Sequence, residues 1–295
     1  MLLITGPTGN VGDELTTLLA EQAGDRPWRV ASRHPDRLRE RLSGTSAEVA
    51  RLDFFDPATW PGALKGVRTL FLLFPLPGNK AAKRAIIPFL ETAEAAGCEH
   101  VVYVSVFGAD RAKFIPHHKT EQALFGSRMS HTVLRCSFFH QNLHRTVSTH
   151  GTDIADHHEL FVPAGRGLTT FVDARDCAAV ALDAVLAPER HRNAVHHLTG
   201  PERLSMEQVA EQLSEALGET VRYTDPSLPR FAARLRGRGV GWDTVGFMAA
   251  VYTLTKLNWN QPITDEVERL LGRPPRTLRA YLGQNAWRWR ERAWT

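Results

Sequence analysis

Short apolar runs alternate, along the first half of the chain, with segments whose apolar residues recur at helical spacing. The first run covers residues 2–4, and the segment after it has one apolar face made by Val11, Leu15, Leu18 and Leu19. The same alternation predicts further strands at 29–32, 49–52, 69–74, 100–106 and 132–135, and helices at 85–96 and 120–125. This βαβ rhythm predicts an α/β protein with a Rossmann-type, doubly wound parallel sheet and helices on both faces.

The regular alternation ends near residue 140. Residues 206–217 form the clearest amphipathic helix of the second half, and we expect it to end at Gly218. Other elements predicted there are strands at 169–172, 195–198 and 221–223, a helix at 174–186 and a loop at 225–229. We therefore predict a Rossmann domain over 1–150, with strands also contributed by 169–198, and a smaller C-terminal α+β lobe over most of 151–295.

A glycine-rich turn, residues 5–12, joins the first predicted strand to the first predicted helix. Its glycines are spaced GxxGxxG, which lets the backbone turn sharply and approach a diphosphate. The N-terminus of the following helix offers free N–H groups and partial positive charge to the same anion. A glycine triplet also fits an ordinary structural turn, but its place directly after the first strand favours a dinucleotide site. The predicted contacts are Gly6, Thr8, Gly9, Asn10, Val11 and Gly12.

The composition of the 295-residue chain is that of a globular protein, with 23% charged and 43% apolar residues. No apolar run approaches the roughly 18 residues of a membrane span, and the N-terminus lacks the basic segment of a signal peptide. The three cysteines lie far apart, which favours a reducing compartment over a disulfide framework. These observations predict a cytoplasmic protein that has no membrane partner.

The net charge of +4 is consistent with anionic small ligands and too slight to indicate nucleic acid. Two arginine-rich stretches, 230–238 and 288–292, fit a folded surface, a dimer contact or a lid better than base stacking. His140 and His144 are four residues apart, but they lack the glutamate of a HExxH motif. We predict no metal site and no nucleic-acid partner, and a homodimer stays open.

Taken together, these residues resemble the NmrA-like branch of the atypical short-chain dehydrogenases. The matching segments are 3–12, 32–35, 102–105, 134–135, 138–142, 171–176, 198–202 and 263–277, together with Asp53 before a Phe-Asp-Pro turn. The resemblance implies a protein that binds NADP(H). It leaves the activity open, because the family includes quinone and azo-dye reductases, biosynthetic reductases, and regulators that bind NADP(H) without turnover.

The residues after the second predicted strand distinguish NADP from NAD. An acidic residue about 20 positions after the glycines would hold the ribose 2′-OH of NAD, but Ser32 and Arg33 stand there. Arg33, with Arg37 one helical turn further, offers guanidinium donors to a 2′-phosphate. This favours NADP(H) as the cofactor, and the alternative interpretation is a solvated basic loop.

Further cofactor contacts are predicted at the ends of the third and fourth strands. Asp53 and Phe54 resemble the pair that edges the adenine in the family, although Asp53 could instead cap a helix before Pro57. Phe74 and Pro75 end the fourth strand, and we expect them to lie over the glycine turn.

The usual acid of short-chain dehydrogenases, the tyrosine of a Tyr-x-x-x-Lys helix, is missing. Ser105 stands at the expected serine position, as a catalytic and cofactor-binding candidate, but no tyrosine lies between Ser105 and Arg135. The next helix instead opens with three further catalytic candidates, His117, His118 and Lys119. A histidine at a helix N-terminus is favoured as the neutral imidazole and could hydrogen-bond a substrate carbonyl and donate a proton. For both histidines, surface positions in a first helical turn are the alternative.

The acceptor pocket is expected beyond the carboxyl ends of the strands. Predicted substrate contacts are Phe138, Phe139, His140 and Asn142 after the sixth strand, with Trp242 and Phe247 as a roof. Ordinary core packing explains the two roof residues equally well.

The sequence thus predicts an NADP(H)-dependent reductase that transfers hydride to a small conjugated carbonyl, quinone or imine-type compound. In hydride transfer the cofactor supplies the chemistry, and the side chains mainly orient the cofactor and the acceptor. Because quinones accept hydride readily, the missing tyrosine favours such acceptors. The same loss fits a non-catalytic NADP(H)-binding sensor that acts through a protein partner. An isomerase or epimerase with a bound nucleotide is a third interpretation.

Overall fold

The computed structural model describes residues 1–74, 81–144, 150–259 and 261–291, and the chain divides into two compact units. The first unit is Met1–Cys136 with Cys177–His197, and the second is Ser137–Asp176 with Leu198–Thr295. Each unit has its own buried core.

The strands are β1 (Leu2–Thr5), β2 (Trp28–Ser32), β3 (Ala47–Arg51), β4 (Thr69–Leu73), β5 (His100–Val106), β6 (Ser130–Cys136), β7 (Phe138–Phe139), β8 (Glu159–Phe161), β9 (Leu168–Val172), β10 (Ala194–Leu198), β11 (Arg203–Ser205) and β12 (Arg222–Thr224). The helices are α1 (Asn10–Gln22), α2 (Pro35–Arg41), α3 (Trp60–Leu64), α4 (Ile87–Ala95), α5 (Pro116–Phe125), α6 (His150–His157), α7 (Ala174–Leu186), α8 (Met206–Leu217), α9 (Leu228–Gly237), α10 (Trp242–Lys256), α11 (Glu266–Leu271), α12 (Leu278–Asn285) and α13 (Trp287–Arg290). Within the described ranges, none of these helices is long and apolar enough to cross a membrane.

Among the described residues, seven strands form one sheet in the order β10-β6-β5-β4-β1-β2-β3. The neighbouring pairs from β6 to β3 are parallel. This is the Rossmann strand order, and it puts β1 beside β4 at the point where the winding of the chain reverses. The predicted α/β fold with a doubly wound sheet is confirmed. The sequence also predicts that strands within 169–198 contribute to the Rossmann domain. Of these, β10 joins this sheet, whereas β9 pairs with β7 and β11 in a separate sheet.

The central strands are buried on both faces, because helices cover both sides of a parallel sheet. Leu3 and Ile4 of β1 and Phe71 of β4 have no exposed surface. The edge strand β3 is half-buried or exposed along its length. The core therefore lies under the strands whose ends carry the predicted site.

The helix predicted at 85–96 begins earlier, with a π-helical turn at Ala82–Ile86 that leads into α4. Pro88 has no N–H to donate to the carbonyl four residues back, so the regular ladder is interrupted at this point. Gly97, with a φ of +91°, follows the helix as predicted.

The second unit contains a three-stranded sheet, β11-β9-β7, and the parallel pair of β8 and β12. Helix α8 starts at a capping box of Ser205 and Gln208 and ends at Gly218, whose φ is +71°. Helix α9 begins at Leu228, inside the segment predicted as a loop. Pro229 stands in its first turn, where the missing N–H has no helical partner to lose, so this proline starts the helix.

Candidate active site

The glycine-rich turn after β1 lies at the carboxyl edge of the sheet. Gly6 has a φ of +62°, a left-handed conformation that favours glycine, and its carbonyl accepts a hydrogen bond from the Gly9 N–H at 2.9 Å. Gly9 is the N-cap of α1, so the first N–H groups of that helix have no carbonyl partners within it. The turn therefore offers an anion both backbone donors and the positive end of the helix dipole.

Close packing requires glycine at all three positions of the turn. A Cβ on Gly12 would overlap the carbonyl oxygen of Gly6 and lie 2.9 Å from its carbonyl carbon. A Cβ on Gly6 would lie 2.8 Å from Cδ2 of Leu73, and one on Gly9 would overlap the same methyl group. The sequence alone suggests that the room beside Gly9 is kept for the diphosphate, but in the structure Leu73 occupies it.

The other residues of the turn differ in exposure. Thr8 is exposed, Asn10 is half-buried, and Val11 is fully buried in the core. Val11 can therefore meet a ligand only through its backbone.

Thr5 joins β1 to β4 where the turn begins, and the sequence analysis missed it. Its hydroxyl donates to the Phe71 carbonyl at 3.0 Å and accepts from the Leu73 N–H at 3.2 Å. Because the chain turns away from the sheet at Gly6, this side chain continues the link between the two strands. A hydroxyl residue directly before the first glycine was the signal available in the sequence.

The end of β2 is basic. The Oγ of Ser32, which is half-buried, accepts from the His34 N–H at 3.2 Å. Arg33 and Arg37 are exposed, and neither forms an ion pair with any residue that the structure describes. Strand β2 lies next to β1 in the sheet, so these arginines follow the strand that neighbours the glycine turn.

Asp53 follows β3 and closes a local turn. It is half-buried, and its Oδ1 accepts a hydrogen bond from the Phe55 N–H at 2.9 Å. The capping role belongs to Asp56, whose carboxylate accepts from the Ala58 N–H at 3.2 Å at the start of the 3-10 turn Pro57–Thr59. The alternative of Asp53 as a helix cap is therefore wrong.

The aromatic cofactor candidates pack against other rings. Phe54 is half-buried and meets Phe89 edge-on, with ring centroids 5.0 Å apart. Phe74, directly after β4, has its ring centroid 4.8 Å from that of the His117 imidazole. Pro75, predicted with it, lies outside the described residues. Phe74 thus links the end of β4 to the start of α5.

Ser105 and Glu121 form a buried pair between β5 and α5. The Ser105 hydroxyl donates to Glu121 Oε1 at 2.6 Å, and Arg135 of β6 donates to both carboxylate oxygens, at 3.1 and 2.7 Å. Glu121 has no exposed surface. The hydroxyl expected to serve a substrate or the cofactor is therefore committed to a buried ion pair.

His117 forms a second link between β5 and α5. Its Nδ1 lies 2.8 Å from the hydroxyl oxygen of Tyr103, and both side chains are buried. Burial lowers the pKa of His117 to about 4 and raises the pKa of the Tyr103 phenol well above its usual value. Near neutral pH the imidazole is therefore uncharged, a hydrogen-bond donor rather than an acid. The sequence analysis missed Tyr103, although alternation along β5 puts it on the same strand face as Ser105.

His118 and Lys119 are half-buried and face other directions, because consecutive helical residues are spread around the helix axis. The Nδ1–H of His118 donates to the Ala109 carbonyl at 2.8 Å and ties α5 to the preceding loop. Of the three residues that open this helix, His117 is the one that meets the sheet.

The predicted substrate contacts after β6 belong to the second unit. Phe138 meets Phe171 edge-on with ring centroids 5.2 Å apart, and the buried His140 has its Nδ1 3.7 Å from Asp173 Oδ2. Phe139 and Asn142 are half-buried. Phe138 thus packs against another aromatic ring, and His140 lies beside the carboxylate of Asp173.

The two predicted roof residues lie on α10. Trp242 is 66% exposed, and the guanidinium carbon of Arg236 lies 5.1 Å from its ring centroid. Phe247 is half-buried. The exposure of Trp242 speaks against the core-packing alternative at that position.

The chemistry of the first unit fits a dinucleotide. The turn supplies backbone donors, close packing excludes side chains from it, and the end of β2 supplies cations. Over the described parts of the chain, no group of three or more His, Cys, Asp or Glu side chains is arranged to hold a metal ion.

Comparison with known proteins agrees with this assignment. Residues 1–252 match the model of the NmrA-like family. The chain is 31% identical over 290 residues to an NAD(P)H azoreductase of Xenophilus azovorans. The aligned region covers 97% of this chain and 98% of that protein. It is 27% identical over 245 residues to quinone oxidoreductase 2 of Escherichia coli. That aligned region covers 81% of this chain and 82% of the relative.

Solved structures share the fold over both units. An NADPH-dependent quinone oxidoreductase of Escherichia coli, complexed with NADPH, has a TM-score of 0.81 at 24% identity and covers 96% of this chain and 99% of its own. A Citrobacter sp. triphenylmethane reductase complexed with NADP(H) has a TM-score of 0.80 at 21% identity and covers 97% and 99%.

Proposed function

Because the chain belongs to the NmrA-like family and is an NAD(P)H-dependent reductase, we propose that it transfers hydride from NADPH to a small conjugated carbonyl, quinone or imine-type compound. The reduced nicotinamide supplies the hydride, and the protein binds the cofactor, orients the acceptor and excludes water. A carbonyl, quinone or neutral imine takes up the hydride and one proton from the solvent, whereas an iminium cation takes up the hydride alone, and either reduction consumes one NADPH.

The first unit would bind the cofactor along the carboxyl edge of its sheet. Backbone N–H groups of the glycine turn and of α1 would hold the diphosphate, and Arg33 and Arg37 the 2′-phosphate. Asp53 and Phe54 would contact the adenine. Phe74 and His117 would bound the nicotinamide end, since they lie where β4 ends and α5 begins.

The buried bond between Ser105 and Glu121 gives the strongest support for a conjugated acceptor. The Ser105 hydroxyl is committed to Glu121 at 2.6 Å, and His117 is uncharged near neutral pH. A plain ketone needs a proton on its oxygen as hydride arrives, whereas a quinone spreads the added charge over its own ring. Similarity to proteins named azoreductase and quinone oxidoreductase supports the same class.

Purified protein should oxidise NADPH with at least one member of a panel of quinones, conjugated enones, iminium compounds and azo dyes. The loss of NADPH absorbance measures the rate, and chromatography identifies the reduced product. A saturated ketone of similar size is the matched negative acceptor, because it has no conjugated system to spread the charge. Tight NADPH binding without oxidation across the panel would contradict the proposal and favour an NADP(H)-binding sensor.

Replacing Arg33 with alanine should weaken NADPH binding by about tenfold or more, because a hydrogen bond to a charged group contributes about 1.5–3 kcal/mol. Binding of NADH, which has no 2′-phosphate, should change by less than about twofold. Titration calorimetry measures both affinities. Arg39→Ala is the control, since Arg39 is exposed on the neighbouring helix and paired with Asp36. Equal losses for NADPH and NADH in Arg33→Ala would remove the case for a 2′-phosphate contact.

A further inference from the structure

Tyr103, in the middle of β5, and His117, in the first turn of α5, form a buried hydrogen-bonded pair. The Tyr103 hydroxyl oxygen lies 2.8 Å from His117 Nδ1, and the two residues are 0% and 7% exposed. The ring of Phe74 lies 4.8 Å from the same imidazole. A residue of β5 and the residue that directly follows β4 therefore both contact this helical side chain.

The hydrogen bond between the two groups has a preferred direction. A phenol O–H is a stronger donor than a neutral imidazole N–H, and an imidazole nitrogen is a stronger acceptor than a phenol oxygen. Thr120, the other hydroxyl beside the phenol, is a weaker acceptor than the imidazole nitrogen. The separation of 2.8 Å also suits a hydroxyl donor better than an N–H donor. With Nδ1 accepting, the single proton of the neutral ring stands on Nε2.

We propose that Tyr103 is a positioning residue that holds His117 as the Nε2–H tautomer, so that this N–H donates a hydrogen bond to the acceptor atom that gains negative charge. The inference rests on the proposed function, because it assigns a role within that hydride transfer. A neutral donor stabilises the developing charge and keeps its own proton. The proton that the product needs comes from the solvent. A strand tyrosine acting through a helix histidine thus does part of what the missing tyrosine does in other short-chain dehydrogenases.

Nitrogen-15 NMR of histidine-labelled protein tests the tautomer, because protonated and unprotonated ring nitrogens differ widely in chemical shift. The variant His117→Asn identifies the His117 signals among the thirteen histidines. We expect wild-type His117 to carry its proton on Nε2, and Tyr103→Phe to move it to Nδ1 in part of the molecules. In Tyr103→Phe, kcat with an active acceptor should fall about tenfold while KM for NADPH changes less than about twofold.

The matched control is Tyr223→Phe, which removes a phenol that donates to the Gly165 carbonyl at 3.1 Å in the second unit. It should leave kcat and the His117 signals unchanged. A proton on Nδ1 of wild-type His117, or an unchanged kcat in Tyr103→Phe, would overturn the inference. If Tyr103→Phe does not fold, the wild-type tautomer decides. Failure of the proposed function is a different result, namely wild-type protein that binds NADPH and reduces no acceptor, whichever ring nitrogen is protonated.

Discussion

An alanine at position 12 should abolish measurable NADPH binding and lower the free energy of unfolding by about 2 kcal/mol or more. The added Cβ of Gly12→Ala would overlap the carbonyl oxygen of Gly6, and all the atoms it meets belong to the backbone. No rotamer change can relieve such an overlap, so the turn that carries the diphosphate donors has to open. Titration calorimetry with NADPH and urea unfolding measure the two effects.

Variants at other glycines distinguish the effect of this steric overlap from the effect of replacing a glycine as such. Gly62→Ala in α3, where the glycine has open space around it, should keep NADPH binding and be neutral or slightly stabilising. Gly9→Ala should weaken binding, and adding Leu73→Ala should restore part of it, because the overlapping group is the end of a leucine side chain. Full NADPH affinity in Gly12→Ala would show that the turn does not hold the diphosphate.

Replacing Arg135 with leucine should lower stability by about 3–5 kcal/mol, because it leaves a buried carboxylate without its counter-charge. The side chain of Glu121 is 0% exposed and that of Arg135 is 9% exposed. The Ser105 hydroxyl would still donate to the carboxylate but brings no charge. Thermal and urea unfolding of the full chain measure the loss.

The matched control is Arg128→Leu, which breaks an ion pair of similar length at the surface. Arg128 lies 2.6 Å from Glu94, but its side chain is 89% exposed, so the expected loss is under about 1 kcal/mol. If Arg135→Leu were no more costly than Arg128→Leu, the carboxylate of Glu121 would have to be reaching water or accepting a proton.

The fold of the first unit is predictable from sequence because its strands and helices alternate along the chain. Six apolar runs separated by helices leave few topologies besides a parallel, doubly wound sheet. The later strands are harder, because β9 and β10 are short and mix apolar with polar residues, so their patterns do not identify a partner strand. Their partners, β7 with β11 for the first and β6 for the second, are set by packing between distant segments.

The candidate site is predictable where the backbone supplies the chemistry and less so where side chains meet. The glycine spacing marks the turn, but nothing local shows that Leu73 packs against Gly9. The bonds of Ser105 to Glu121 and of Tyr103 to His117 each join β5 to α5, and no sequence pattern shows which face of that helix meets the strand. The tyrosine that contacts α5 lies two residues before the serine, on β5, and not after it as in a Tyr-x-x-x-Lys helix.

The two side-chain bonds between β5 and α5 have a consequence for protein engineering. Changing the serine, the tyrosine or either helix partner removes a bond between β5 and α5 at the helix that carries His117, so stability and turnover have to be measured side by side in such variants. Half-buried positions such as Phe139 and Phe247, which take no part in those bonds, can vary more freely. Engineered variation is therefore best placed outside these bonds, with the four bonded positions held constant.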